Sequence, residues 1–300
     1  MSRLAAIAAA CWLLTPGSAA AAVACSLNSS GISVVFFDTA SSLPTRATGS
    51  VTVNCTRSDL ARDPAILHVA LGAASANANS AMGHALLVGG TTRDTLDYWL
   101  YSDPAQSLVW SERGGSGNVR LTTTLDFGSG ATASQTIPYY AKVPQTAAQS
   151  QPLIKGLYQD TQTLTLYQST TSTADAAKSH RATVTTTFPV QVTVPENCVL
   201  SSPPGELAFA YTSFQPNAAT ASTSFAVTCV SNAAYTLSLD ATSGTLAGLA
   251  YTLAISTLSQ VGTGLPQSAT ISGTIAAGQS GLCSGASCTA SAVRTLTVTY

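Results

Sequence analysis

The sequence predicts an all-β protein made of two consecutive copies of one domain. Three observations carry this. Short runs that alternate apolar and polar residues recur between clusters of Gly, Ser, Asn and Pro, and long amphipathic helical patterns are absent. Two cysteine pairs, Cys25/Cys55 and Cys198/Cys229, are spaced 30 and 31 positions apart and sit in matching contexts. Each opening Cys leads to a Gly and an apolar patch, and each closing Cys ends an alternating run, Ser50-Val51-Thr52-Val53-Asn54-Cys55 and Ser224-Phe225-Ala226-Val227-Thr228-Cys229. Finally, 300 residues at 45% hydrophobic suffice for two cores.

The chain begins with a segment of secretion-signal type: Arg3, then an apolar run Leu4 to Leu14 too short to cross a bilayer, then Thr15-Pro16-Gly17. Ala20, Ala22 and Ala24 offer small-residue cleavage sites, so residues 1–24 are expected to be removed. Cys11 goes with them, and six cysteines stay in an exported chain, where disulfides form. An acylated Cys25 is the competing reading, but Ala22-Val23-Ala24 departs from the usual lipidation pattern. Six cysteines allow 15 pairings. The repeat selects Cys25–Cys55 and Cys198–Cys229, leaving Cys283–Cys288 to close the short loop Ser284 to Ser287.

The repeat runs on beyond the cysteines. Ile137-Pro138-Tyr139 aligns with Ile271-Ser272-Gly273, and Thr163 to Tyr167 with Thr295 to Tyr300. Domain 1 is therefore placed at 25–196 and domain 2 at 197–300, with extra loop material in domain 1 around Ala73 to Asp94 and Gly114 to Thr136. Two asymmetries separate the copies. Ala182 to Val194 is a one-sided strand whose face carries Val184, Phe188, Val190, Val192 and Val194. Domain 2 shows no counterpart after Tyr300, and no such strand precedes Cys25 except the signal segment. A sandwich short of its last strand exposes core residues and unpaired backbone groups, so a strand from another chain is expected to fill it.

Charged residues are only 8%, against about 25% in ordinary soluble proteins. A net charge of −1 offers no basic field for nucleic acid. No Cys-x-x-Cys occurs, and His68, His84 and His180 lie near no cysteine, so neither a metal nor another cofactor is expected. Asp94 and Asp97 are a weak candidate pair for a cation. Gly281-Leu282-Cys283-Ser284-Gly285 has the outline of a nucleophile elbow but precedes a strand rather than a helix, so no catalytic group is assigned. His68 is read as a surface strand residue, and Tyr98, Leu100 and Trp110 as core.

Several ordered motifs resemble the spore coat protein U domain family, which includes subunits of archaic chaperone–usher pili. In domain 1 they are Cys25…Cys55-Thr56, Tyr98-x-Leu100-Tyr101-x-Asp103, Trp110, Ile137-Pro138-Tyr139-Tyr140, Gly156-x-Tyr158-x-Asp160-Thr161 and Leu164-x-Leu166. Domain 2 lacks the Gly-x-Tyr-x-Asp turn and leans on the internal repeat. The resemblance implies incomplete immunoglobulin-like sandwiches, each completed by a neighbour's strand after a periplasmic chaperone has held it. It further implies an outer-membrane usher, a next pilus subunit as strand donor, and a place at the cell surface. Ala182 to Val194 is then expected to complete domain 1 in cis. Domain 2 is expected to accept a strand in a groove lined by Leu207, Phe209, Leu296, Val298 and Tyr300. Such a chain is a tip adhesin whose domain 1 touches a host or abiotic surface. Leu86-Leu87-Val88 and Leu153-Ile154 are the apolar loop segments expected to do so. A secreted coat protein of the same family is the alternative.

Overall fold

Residues 23–36, 43–78, 81–112, 118–145 and 148–300 are described by the structure, a computed structural model. The predicted signal segment thus lies outside the described residues up to position 22. Val23 and Ala24 already belong to the first strand, where they pair with Arg57 and Thr56. Cleavage after Ala22 keeps both pairs, and cleavage after Ala24 removes them.

Domain 1 opens with β1 (Val23–Ser29), β2 (Ile32–Val35), β3 (Thr45–Arg57) and β4 (Ile66–Ser75). It continues with β5 (Gly83–Leu87), β6 (Thr95–Tyr101), β7 (Val109–Trp110), β8 (Asn118–Val119) and β9 (Leu121–Asp126). It closes with β10 (Thr132–Val143), β11 (Gly156–Ser169), a short helix α1 (Thr173–Lys178) and β12 (Ala182–Val194). One layer runs β1-β3-β10-β6 and the other β9-β4-β11-β12-β2, with β5 joining β6 to β11. The chain changes layers at Gly31, whose φ of +69° suits glycine, and a Cβ there would sit 2.7 Å from the Pro189 carbonyl oxygen. Strands β5 and β9 fall inside the stretches expected to be loops. Thr-rich alternation such as Leu121-Thr-Thr-Thr-Leu125 buries only its end leucines, so its strand signal is weak.

Alternation sets what is inside. Trp110, Tyr139 and Phe188 share the core, with centroids 4.9 to 6.0 Å apart. Beside them Tyr98 donates to the Asp160 carboxylate at 2.5 Å, and Ser75 donates to the same oxygen at 2.5 Å. Burial, and then the neighbouring Asp160 charge, hold the Tyr98 phenol well above its usual range.

Domain 2 contains β13 (Cys198–Ser202), β14 (Ala219–Cys229), β15 (Ala234–Leu239) and β16 (Ser243–Leu246). After these come β17 (Leu249–Ile255), β18 (Ser259–Val261), β19 (Pro266–Ile275) and β20 (Leu296–Thr299). They form two sheets, β13-β14-β19-β17-β16 and β18-β15-β20. Phe225, Val227, Tyr235, Leu237, Ile271 and Ile275 make the core between them. The fold is all-β, two immunoglobulin-like sandwiches in tandem. The repeat needs one adjustment. Tyr139 stands opposite Gly49, six positions before Cys55, while Ile271 stands opposite Thr223, six before Cys229. Measured from the cysteines, Tyr139 therefore matches Ile271 rather than Gly273.

The two domains meet end to end. Lys155 N–H donates to the Ser231 carbonyl at 3.1 Å, Ser231 N–H donates to Leu153 at 3.2 Å, and Ile154 bridges Ser231 in parallel. Lys155 also pairs with Glu196 in the three-residue connection after β12.

Candidate functional site: the two closing edges

The candidate site is the place where each sandwich closes, and the domains differ there. In domain 1, β12 lies between β11 and β2. It is antiparallel to β11 over its length and parallel to β2 through Val190 to Thr193. Phe188, Val190, Val192 and Val194 are buried, and Val184 is half-buried near the outer end, where β2 no longer reaches. Under this cover Leu164 and Leu166 of β11 are 0% exposed.

In domain 2 the strand in the place of β11 is β20. It pairs with β15 from Leu296 to Thr299, and its other edge has no strand partner among the described residues. Its inward residues Leu296 and Val298 are only half-buried, although they pack on the core. Tyr300 follows the strand and is 53% exposed. On the opposite side, residues 203–212 form no strand. Leu207 and Phe209 instead lie over β19, where a Cβ on Gly273 would meet Phe209 at 2.5 Å and Leu207 at 3.0 Å. Of the five groove residues expected from sequence, Leu207, Leu296 and Val298 pack half-buried on the core, Phe209 lies at Gly273, and Tyr300 is largely exposed. Unpaired backbone groups along β20 and half-covered leucine and valine side chains are what an added strand would satisfy.

The disulfides hold the front of each sandwich. Cys25–Cys55 ties β1 to β3 and Cys198–Cys229 ties β13 to β14, each at directly opposed positions. Cys283–Cys288 closes a loop in the irregular stretch before β20. With Cys283 bonded to Cys288, the elbow-like stretch Gly281 to Gly285 offers no free thiol there.

Of the apolar segments expected to make surface contact, Val88 is 57% exposed, while Leu86, Leu87, Leu153 and Ile154 are buried or half-buried. Leu153 is 2% exposed, and Ile154 sits in the bridge to Ser231 whose hydrogen bonds are made by Leu153 and Lys155, so both belong to the domain joint. Leu86 and Leu87 are half-buried in β5, paired with Gln159 and Tyr158 at the start of β11, and Val88 donates to Leu157. That end of β11 adjoins domain 2, so Leu86-Leu87-Val88 faces the joint rather than the far end. Single-sequence apolarity marks such segments without saying which end of a strand carries them.

The far end is given by Ser169, the last residue of β11, which pairs with His68. There the loop 58–65 carries Leu60, 55% exposed, and leads to Ile66, 47% exposed. His68 is half-buried on β4, its Nδ1 3.0 Å from Thr124 Oγ1. Asp94 accepts from Thr91 N–H at 2.6 Å, closing a turn. Asp97 is bonded by His84 Nδ1 at 2.7 Å and by Ser150 N–H at 2.9 Å. Both carboxylates are therefore engaged within the protein. No group of three or more potential metal ligands gathers among the described residues. No helix among the described residues is long and apolar enough to cross a membrane.

A profile of the Spore Coat Protein U domain matches residues 12–165 and 184–299. The second match starts within β12, so this strand is counted with the second unit in sequence while its hydrogen bonds lie in the first sandwich. No curated protein sequence matches the chain. Among solved structures, the chaperone–tip adhesion subunit pre-assembly complex CsuC–CsuE from archaic Csu pili of Acinetobacter baumannii aligns at 13% identity. It covers 92% of this chain and 100% of that one, with a TM-score of 0.41. The CooA pilin subunit of enterotoxigenic Escherichia coli aligns at 14% identity over 50% of this chain and 80% of that one, with a TM-score of 0.29. Because the two profile matches together span most of its length, the chain belongs to the Spore Coat Protein U domain family.

Proposed function

We propose that this chain is the strand-accepting tip subunit of an archaic chaperone–usher pilus. The observation that carries it is the contrast between β12, which is consumed inside domain 1, and the β20 edge, which has no partner among the described residues. A family unit that donates its leading strand to a neighbour adds to a polymer at both ends. Here the strand that leads the second unit is spent within the same chain. One acceptor groove is left, in domain 2. A periplasmic chaperone first supplies a strand to it, and the next subunit replaces that strand at the outer-membrane usher.

Domain 1 is then the projecting unit and contacts a host or abiotic surface. Its contact residues belong at the end away from domain 2, where Leu60 and Ile66 are exposed apolar groups in a chain with few charges. The role is structural and adhesive rather than enzymatic.

Co-expression tests this reading. The exported chain should accumulate as folded protein only when a periplasmic chaperone or a donor-strand peptide is supplied. A stable monomer recovered with neither would contradict it.

A further inference from the structure

A cleft of about 960 Å³ opens on the flank of domain 1. Leu108, Ile137, Arg120, Thr122, Tyr167 and the end of α1 line it. In a chain with only 8% charged residues, this cleft collects Glu112, Arg120, Lys178 and His180. Arg120 is held rigidly. Its guanidinium stacks 3.7 Å from the Tyr167 ring centroid and donates to the carbonyls of Ala177 at 3.1 Å and Ser179 at 2.6 Å. It also donates to Glu112 Oε1 at 2.7 Å, which accepts from the Tyr167 hydroxyl at 2.5 Å as well.

Glu112, the one carboxylate among the described lining residues, is paired with Arg120 and accepts from Tyr167, and its other oxygen lies against the Gly72 backbone, buried and without a hydrogen-bond partner. Lys178 and His180 are exposed at the rim and make no ion pair among the described residues, and Arg181 follows beside them. Lys178 and Arg181 therefore bring positive charge to the rim, with Leu108 and Ile137 adding apolar lining and Ser102 and Thr122 adding hydroxyls. The volume lies in the range of small-ligand sites, about 300–1,000 Å³.

We propose that this cleft binds the uronic-acid units of an acidic polysaccharide. Sugar carboxylates pair with Lys178 and His180, with Arg120 fixing the field behind them, while pyranose faces lie on Leu108 and Ile137. Pairing at an exposed rim makes the binding sensitive to salt. This deepens the reading of domain 1 as the contacting unit and is independent of strand acceptance by domain 2.

The test uses the full chain, purified with its strand-supplying chaperone, against immobilised polygalacturonate, with dextran and duplex DNA as controls. Retention on polystyrene, measured in parallel, reports the apolar contact and can fail separately. The wild type should bind polygalacturonate but not dextran, and K178A/H180A should weaken this by about tenfold or more while leaving polystyrene retention unchanged. Thr122→Trp, which narrows the cleft without altering charge, should also weaken it. Absence of wild-type binding, binding unchanged in a folded K178A/H180A or T122W variant, or DNA bound as tightly as polygalacturonate would overturn the proposal.

Discussion

Domain 1 and domain 2 use similar sandwiches and matching disulfides, yet one is closed and the other open along a single edge. In domain 1, Phe188, Val190 and Val192 fill the space beside β11, and Leu164 and Leu166 are fully covered. In domain 2 the corresponding Leu296 and Val298 are half-covered beside Leu207 and Phe209, which belong to a segment with no strand pairing. Domain 1 also carries more strands and the helix α1, but the difference at the closing edge is the one that changes how far equivalent side chains are covered. Domain 2 keeps its disulfide, its central strands and much of its core while one row of side chains along β20 stays half-covered.

The largest expected effect comes from placing a charge in that row. Val192→Asp buries an unpaired carboxylate at a fully covered site and should destabilise domain 1 by several kcal/mol, enough to abolish folded protein on export. Val298→Asp sits at a half-covered site and should change the melting of domain 1, followed by its tryptophans, by less than about 1 kcal/mol, yet abolish capture of a complementing strand by domain 2. Equal melting losses from the two substitutions would break the comparison.

The disulfides give the next largest effect. By loop-closure entropy, replacing Cys25 and Cys55 by Ser should cost about 3.5 kcal/mol, since the bridge closes 30 residues. The 31-residue Cys198–Cys229 bridge should cost the same, whereas the five-residue Cys283–Cys288 bridge should cost about 2 kcal/mol. Denaturant unfolding of the three double variants measures this order.

Smaller effects separate the two glycines that carry side chains of the core. Gly49→Ala drives a methyl into the Tyr139 ring, which is locked between Trp110 and Phe188, and should cost about 1–3 kcal/mol. Gly273→Ala meets the far ends of the Phe209, Leu207 and Leu253 side chains, the first two in a segment without strand pairing, and should cost less. Calorimetry of both variants gives the ranking, and a larger cost at Gly273 would show residues 203–212 to be as firmly held as a strand.

The subtlest difference is alkaline. Burial raises the Tyr139 phenol to about 12, and burial also raises Tyr98, Tyr158 and Tyr167 in domain 1, against Tyr235 in domain 2. A raised phenol favours the neutral form in the folded state, so its contribution is present below about pH 10 and is lost as pH climbs through 12. Domain 1 should therefore lose more stability than domain 2 between these values, as read by near-ultraviolet circular dichroism of the domain 1 tryptophans.

Much of this arrangement was legible in the sequence because its signals are strictly periodic. The alternation from Ala182 to Val194 announces a one-sided strand, and the repeated cysteine spacing places both front disulfides. What the sequence conceals is end and register. Leu153 and Ile154 belong to the domain joint and Leu86-Leu87-Val88 lies at the β11 end next to it, and nothing local distinguishes this from a place at the far end. Tyr139 and Ile271 correspond through cross-strand pairing, which a linear comparison shifted by two positions misses. The Arg120, Glu112 and Tyr167 cluster joins residues far apart in the chain, so no motif marks it.

The most direct measurement is backbone amide exchange on the full chain folded with a donor-strand peptide, first with the peptide in excess and then just after it is diluted away. Amides of β11 and β12 should be protected in both states, while those of β20 should exchange slowly with the peptide and fast once it has left. Slow exchange along β20 with no complementing strand present would contradict an open edge in domain 2.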